Sequence, residues 1–338
     1  MRCEAPYFTA QAFSRDGRWL VFAGGGDRGR ELYRLDIHDG TVNQLTRDSG
    51  LSGGALTMHP NGRRVIWSTD RTLVSCDIES GAVDTLVDLS GEPRTTVIHP
   101  AVPSLNVDGK AALIVLRHGE SSQIRLADLE GGSTESLVDM PGLLTHPQFC
   151  PSDDQILTFV PPGDACWDMS LPRERRARLW SLDLRDGVPR RLLNPSHGHT
   201  ATHESWSADG SRIFFFEKTQ PNWTPCRVRS IRCDGSDWQT HFTSDHYRLG
   251  HGRVSPSGRH FVADVQCRGH SPLFLIDLQT GDHEVLCWPD ASNDGGHVAS
   301  AHVHPSFSPD GSMVVYTSDV SGVPQVYLVP TPEAASDA

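Results

Sequence analysis

The chain of 338 residues carries 30 Lys and Arg against 42 Asp and Glu, a formal net charge of −12. This balance argues against nucleic acid and against an anionic membrane as partners, and no apolar run reaches the ~20 residues that a membrane-crossing helix needs. The eight cysteines include no C-x-x-C pair, and the first residues, Met1-Arg-Cys-Glu-Ala-Pro-Tyr-Phe8, lack the apolar stretch of an export signal, so reduced thiols and a cytoplasmic location are expected.

The first element is a turn, Phe13-Ser-Arg-Asp-Gly17, followed by the strand-like run Trp19-Leu-Val-Phe22. A second strand leads to another turn in Leu32-Tyr-Arg-Leu-Asp-Ile-His-Asp-Gly40, and Asn43-Gln-Leu-Thr46 closes the unit. The turn then recurs at Met58–Gly62, Asn106–Gly109, Trp206–Gly210, Val254–Gly258 and Phe307–Gly311, with Cys150-Pro-Ser-Asp-Asp154 as a variant carrying Asp in the glycine slot. From residue 17 the spacings to 62, 109, 154, 210, 258 and 311 are 45, 47, 45, 56, 48 and 53. A period of that size suits the four-stranded blade of a β-propeller. An all-β sandwich, or another blade count, is the competing arrangement, and the regularity favours the propeller. The expectation is one all-β domain over residues 1–338, a seven-bladed β-propeller with inner strands lining a central channel.

His203, His251 and His304 each stand seven residues before a turn glycine, in what would be blades 5, 6 and 7. Equivalent repeat positions occupy equivalent places, so these imidazoles should converge at one rim of the channel. His302 lies two residues before His304, which on a strand would face it the same way. His146 stands eight residues before Asp154 and would join from blade 4. A single histidine at a strand start is often only bonded to a loop carbonyl, and His59 and His99 are read in that way. Three in register are harder to explain so. A His-x-His with a third histidine suits Mn²⁺, Fe²⁺, Ni²⁺ or Zn²⁺. The densest basic stretch, Arg173-Glu-Arg-Arg-Ala-Arg178, reads either as a solvated loop or, through Arg173, Arg175 and Arg176, as a substrate contact.

Longer stretches add a resemblance. Tyr7-Phe-Thr-Ala-Gln, Thr145-His-Pro-Gln-Phe149, Arg178-Leu-Trp180, Thr202-His-Glu-Ser-Trp206 and above all His302-Val-His-Pro-Ser-Phe-Ser-Pro-Asp-Gly311, continued by Tyr316-Thr-Ser-Asp319, occur in this order over nearly the whole chain. In these the chain resembles the oligogalacturonate lyases, seven-bladed propeller enzymes of pectin breakdown. The resemblance implies a metal-dependent β-elimination on a small oligouronate. It implies a divalent metal, Mn²⁺ being the usual one, held by His251, His302 and His304, with His203 as the base and Arg178 facing the substrate. The chemistry agrees. A proton α to a carboxylate leaves only if the growing charge is neutralised, for which a metal and an Arg fork are suited, and a neutral His suits the base. Glu204 is expected to point away from His203 along the strand.

Two departures from the family pattern stand out. The usual fourth ligand, a Gln three residues before the first His of His-x-His, is Ala299 here, with His297 nearby as a substitute ligand. The chain also begins just ahead of its first inner strand, so the seventh blade is expected to lack an outer strand. Its open edge would call for a cover such as a second copy in a homo-oligomer, unless the start codon lies further upstream. A related lyase acting on another uronate, and a non-catalytic binding propeller, are the alternative functions.

Overall fold

The computed structural model describes residues 1–26, 29–93, 95–99, 101–161, 170, 178–193, 198–267, 271–292 and 301–332. Its strands form seven separate antiparallel sheets in chain order, and no helix of the described residues is long and apolar enough to cross a membrane. The sheets are the seven blades of a β-propeller. Each Asp-Gly turn joins the first strand of a blade to the second.

The turn chemistry explains the repeat. Ser14, Ser207 and Ser308 each donate their hydroxyl to the Asp two residues on, at 2.6, 2.6 and 2.5 Å. The same hydroxyls accept the N–H that starts the second strand, from Trp19, Arg212 and Met313. The chain then reverses through a left-handed residue: Gly17, Gly62, Gly109, Gly210, Gly258 and Gly311 all have φ between 70° and 78°, where a Cβ would be strained. The fourth turn differs. Phe149 pairs with Leu157, eight residues on, whereas Trp206 pairs with Ile213, seven on. Without glycine this hairpin is one residue longer, and Asp154 instead accepts the Val107 N–H of the preceding blade at 2.8 Å.

The hydrophobic core divides into seven clusters, one between each pair of adjacent blades. Phe214, Phe216 and Val228 of blade 5, for example, meet Val254, Phe261 and Ala263 of blade 6. At roughly 1.5–3 kcal/mol per buried large side chain, each seam is a small core of its own. The ring closes where Ala5, Ala12, Phe13 and Leu20 pack on Val315. Across that seam the Cys3 N–H donates to the Pro324 carbonyl at 2.8 Å and the Ala5 N–H to Thr317 Oγ1 at 2.9 Å.

Blade 7 has three strands among the described residues, Ser306–Phe307, Met313–Ser318 and Gln325–Pro330. Arg2–Glu4 pairs with Trp19–Gly26 and so belongs to the inner edge of blade 1. Beyond Arg2–Glu4 the chain enters the channel. Arg253 donates to the carbonyls of Phe8 and Ala10, at 3.4 and 2.7 Å, and pins this segment in place. Thr9 lines two cavities. One, of about 380 Å³, is bounded by turn prolines such as Pro60, Pro151, Pro256 and Pro309. The other, of about 390 Å³, is bounded by His146, His302 and His304, and its size falls within the range of small-ligand sites.

Candidate metal and proton-transfer site

The four histidines of blades 4 to 7 share one structural position. His146, His203, His251 and His304 each stand three residues before an inner-strand residue that pairs across the turn: Phe149, Trp206, Val254 and Phe307 pair with Leu157, Ile213, Phe261 and Val314. His146 fits the register once the longer turn is taken into account. The corresponding residues of blades 1 and 2, three before Phe13 and Met58, are Ala10 and Ala55.

A β-bulge aims these side chains. Pairing skips between Thr145 and Gln148, between Thr202 and Ser205, and between Leu249 and Gly252. His146, His203 and His304 adopt φ of 49°, 57° and 46°, a left-handed conformation uncommon outside glycine and turned to use where a side chain must be redirected. His302 and His304 do not lie on one strand, contrary to expectation. Both belong to the irregular stretch before Ser306–Phe307, and the bend at His304, rather than strand alternation, brings the two rings to 5.5 Å.

The rings converge. His251 stands 4.2 Å from His203, 4.2 Å from His304 and 5.7 Å from His302, measured between centroids. One nitrogen each of His251, His302 and His304 falls within a 4.8 Å envelope. Two nitrogens about 2.1 Å from one ion lie at most ~4.2 Å apart, so the trio must draw together slightly to hold one. The donor set fits a divalent transition metal. His251 is oriented for it: its Nδ1 lies 2.9 Å from Asp264 Oδ2, and its backbone N–H donates to Oδ1 at 2.7 Å. With Nδ1–H donated to the carboxylate, Nε2 is left with its lone pair free for a metal. Burial holds the His304 imidazole well below its usual pKa and lowers that of His302, with the His251 charge as a second cause. Both therefore present the neutral form that ligates.

His203 sits beside this trio with its Nδ1 buried and without a hydrogen-bond partner. Burial first, then the neighbouring His251, Lys218 and Arg178 charges, keep its imidazole well below the ordinary value. His146 is pushed down to about 4 by burial and by Arg178, and its Nε2 lies 3.3 Å from the Tyr7 hydroxyl. The Phe8 ring covers His203 and His251 at 6.1 and 5.4 Å.

Arg178 reaches this region from the residue preceding the third strand of blade 4, but not as a free fork. Its Nε and Nη2 donate to Glu204 Oε1 and Oε2 at 2.8 and 3.3 Å, and both side chains are buried. This corrects the reading of Glu204. The bulge at His203 breaks the two-residue alternation on which that reading depended, so neighbouring side chains both serve the site. His59 does bond a carbonyl, that of Gly109 at 3.0 Å. His99 does not follow it, for its Nδ1 is buried without a partner and it lines the histidine cavity. Arg173, Arg175, Arg176, His297 and Ala299 lie outside the described residues.

A family profile described as oligogalacturonate lyase matches residues 120–335. The chain belongs to the oligogalacturonate lyase family. Curated oligogalacturonate lyases align along almost all of it. One of Pectobacterium atrosepticum is 24% identical over 363 aligned positions, and one of Dickeya dadantii 23% over 362, each covering 98% of this chain and 91% of the relative. Among solved structures, an oligogalacturonate lyase in complex with manganese superposes with a TM-score of 0.86 at 22% identity, over 99% of this chain and 92% of that one. The Vibrio parahaemolyticus oligogalacturonate lyase gives 0.84 at 22%, over 98% and 92%. These likenesses place the oligogalacturonate lyase fold around the histidine cluster. Within it, sequence reasoning overlooked Asp264. The available signal was a lone acid in the otherwise apolar run 261–265 of the strand His260–Val265.

Proposed function

We propose that this protein is a metal-dependent lyase that cleaves short oligogalacturonates by β-elimination. The observation that carries the reading is the convergence of His251, His302 and His304 beside His203 in a chain of this family. His251, His302 and His304 would hold the divalent metal, manganese being the ion named for a structural relative. When bound, the metal supplies Lewis-acid neutralisation of the uronate carboxylate. His203, neutral and buried, takes the proton α to that carboxylate at its imidazole nitrogen. Arg178, fixed by Glu204, directs positive charge at the same group. Phe8 and the channel segment exclude water, so the developing charge meets fixed dipoles in a low-dielectric site. Loss of the 4-oxygen then completes the elimination and leaves an unsaturated uronate. The free cysteines among the described residues fit a reducing, cytoplasmic compartment, and blade 7, three-stranded among those residues, supports association through its outer edge.

The test is ultraviolet absorbance of the unsaturated product with digalacturonate, before and after chelation and on re-addition of Mn²⁺. A folded, metal-loaded protein that gives no absorbance with digalacturonate refutes this substrate. A panel of other uronate oligosaccharides then decides whether the elimination is directed elsewhere.

A further inference from the structure

Lys218 and Arg248 stand at the seam between blades 5 and 6, which also provide His203 and His251. Lys218 pairs with Thr200, two residues along the strand from the Phe216–Thr202 pair that borders the His203 bulge. It is therefore displaced from His203 away from the Asp-Gly turns, toward the rim. Arg248 immediately precedes the strand Leu249–Val254 that carries His251. Both cations gather on one ring: Lys218 Nζ is 6.0 Å and Arg248 Cζ 4.4 Å from the Trp223 centroid.

Among the described residues no carboxylate forms an ion pair with Lys218 or Arg248, and the neighbouring acids are engaged elsewhere. Asp264 serves His251, Glu204 serves Arg178, and Glu217 serves Arg229 at 2.9 Å. Lys218 is 0% exposed, yet the one hydrogen bond of its ammonium is a long 3.4 Å contact to Gln266 Oε1. Arg248 Nε is buried with no partner. A fully buried lysine is almost always paired, whereas here the ammonium meets one weak acceptor and the Phe216 and Trp223 rings, and the Arg248 guanidinium lies over Trp223. A buried ammonium with a second cation nearby costs stability, and an anion between them offsets that cost.

We infer that Lys218, Arg248 and Trp223 form a carboxylate-binding subsite for the uronate next to the one that His203 deprotonates. The inference rests on the lyase reading above. A galacturonate oligomer carries one carboxylate per sugar, and on a chain of net charge −12 a second such group needs a local cation.

The experiment compares metal-loaded wild type, Lys218→Met and Arg248→Gln on digalacturonate and on its monomethyl ester at the sugar that is not deprotonated. Wild type is expected to favour the diacid by at least tenfold in KM. Both variants should bring that KM ratio toward one with metal content unchanged, and in Arg248→Gln the loss should fall on the diacid alone, with kcat on the ester unchanged. An unchanged ratio in both variants overturns the subsite. Should Lys218→Met fail to fold, the half-buried Arg248→Gln decides. If wild type turns over neither compound, it is the lyase reading that has failed. Calorimetric binding of the same two compounds still reads the subsite: a diacid preference lost in the variants supports it, and equal affinity refutes it.

Discussion

Asp264→Asn changes the protonation of His251 with almost no change of shape. In the native site one carboxylate oxygen takes the His251 backbone N–H at 2.7 Å and the other faces Nδ1 at 2.9 Å. Asparagine keeps one acceptor for the backbone and turns an NH₂ toward Nδ1. To avoid two opposed donors, the imidazole must move its proton to Nε2, the atom needed for the metal. A hydrogen bond to a charged group is worth roughly 1.5–3 kcal/mol, and loss of such an outer partner typically weakens metal binding 10- to 100-fold. That is about 1.4–2.7 kcal/mol. Both groups are buried, so solvent does not screen the difference. Competition against a fluorescent Mn²⁺ chelator measures it, and circular dichroism checks the fold. His251→Ala and the double variant complete a cycle in which Asp264→Asn should add nothing once the imidazole is gone. Native affinity in the single variant, or full additivity in the double, would refute the assignment.

Other outcomes follow from the same geometry. His203→Ala should lower kcat by about 10²–10⁴-fold, the usual contribution of a positioned base, with metal content by elemental analysis unchanged; parallel loss of metal would make His203 a ligand instead. Glu204→Ala strands the buried Arg178 charge and should destabilise the fold by about 3–5 kcal/mol in urea unfolding, more than Glu204→Gln, and an unaltered midpoint would contradict the buried pair. Burial pushes Lys218 down to about 8, with Arg248 and Arg178 lowering it further and Cys226 and Asp264 opposing. A lysine with a lowered pKa is charged below that value and neutral above it. KM for digalacturonate should therefore climb as pH rises through about 8, by up to tenfold per unit, and Lys218→Met should remove that dependence; a flat profile in wild type counts against a role for Lys218 in binding.

The blade count was legible because a left-handed residue after Ser-x-Asp all but requires glycine, so each turn marks itself in the sequence. The histidine convergence was legible for the same reason, since register from the turn transfers to register in the channel. Local geometry was not. Glu204 was misread because a bulge at His203 suspends alternation, and nothing in Thr202-His-Glu-Ser announces a bulge. His302 and His304 were assigned to a strand because His-x-His has strand spacing, but Pro305 follows and the backbone bends at His304 instead. Asp264 was hidden because its partner is thirteen residues away across a hairpin, and only pairing brings the two together. The Lys218–Arg248–Trp223 group joins two blades whose sequence segments share no motif.

The bend that turns these histidines inward has a thermodynamic side. His146, His203 and His304 hold φ between 46° and 57°, where a side chain bearing a Cβ is disfavoured by roughly 1–2 kcal/mol. Glycine occupies that region freely. His203→Gly should thus be better tolerated by the fold than the loss of a buried ring alone would suggest, while being inert. The strain that glycine would relieve offsets only part of the cavity left by a lost ring, so each of the three positions carries a small conformational cost to hold its imidazole toward the channel.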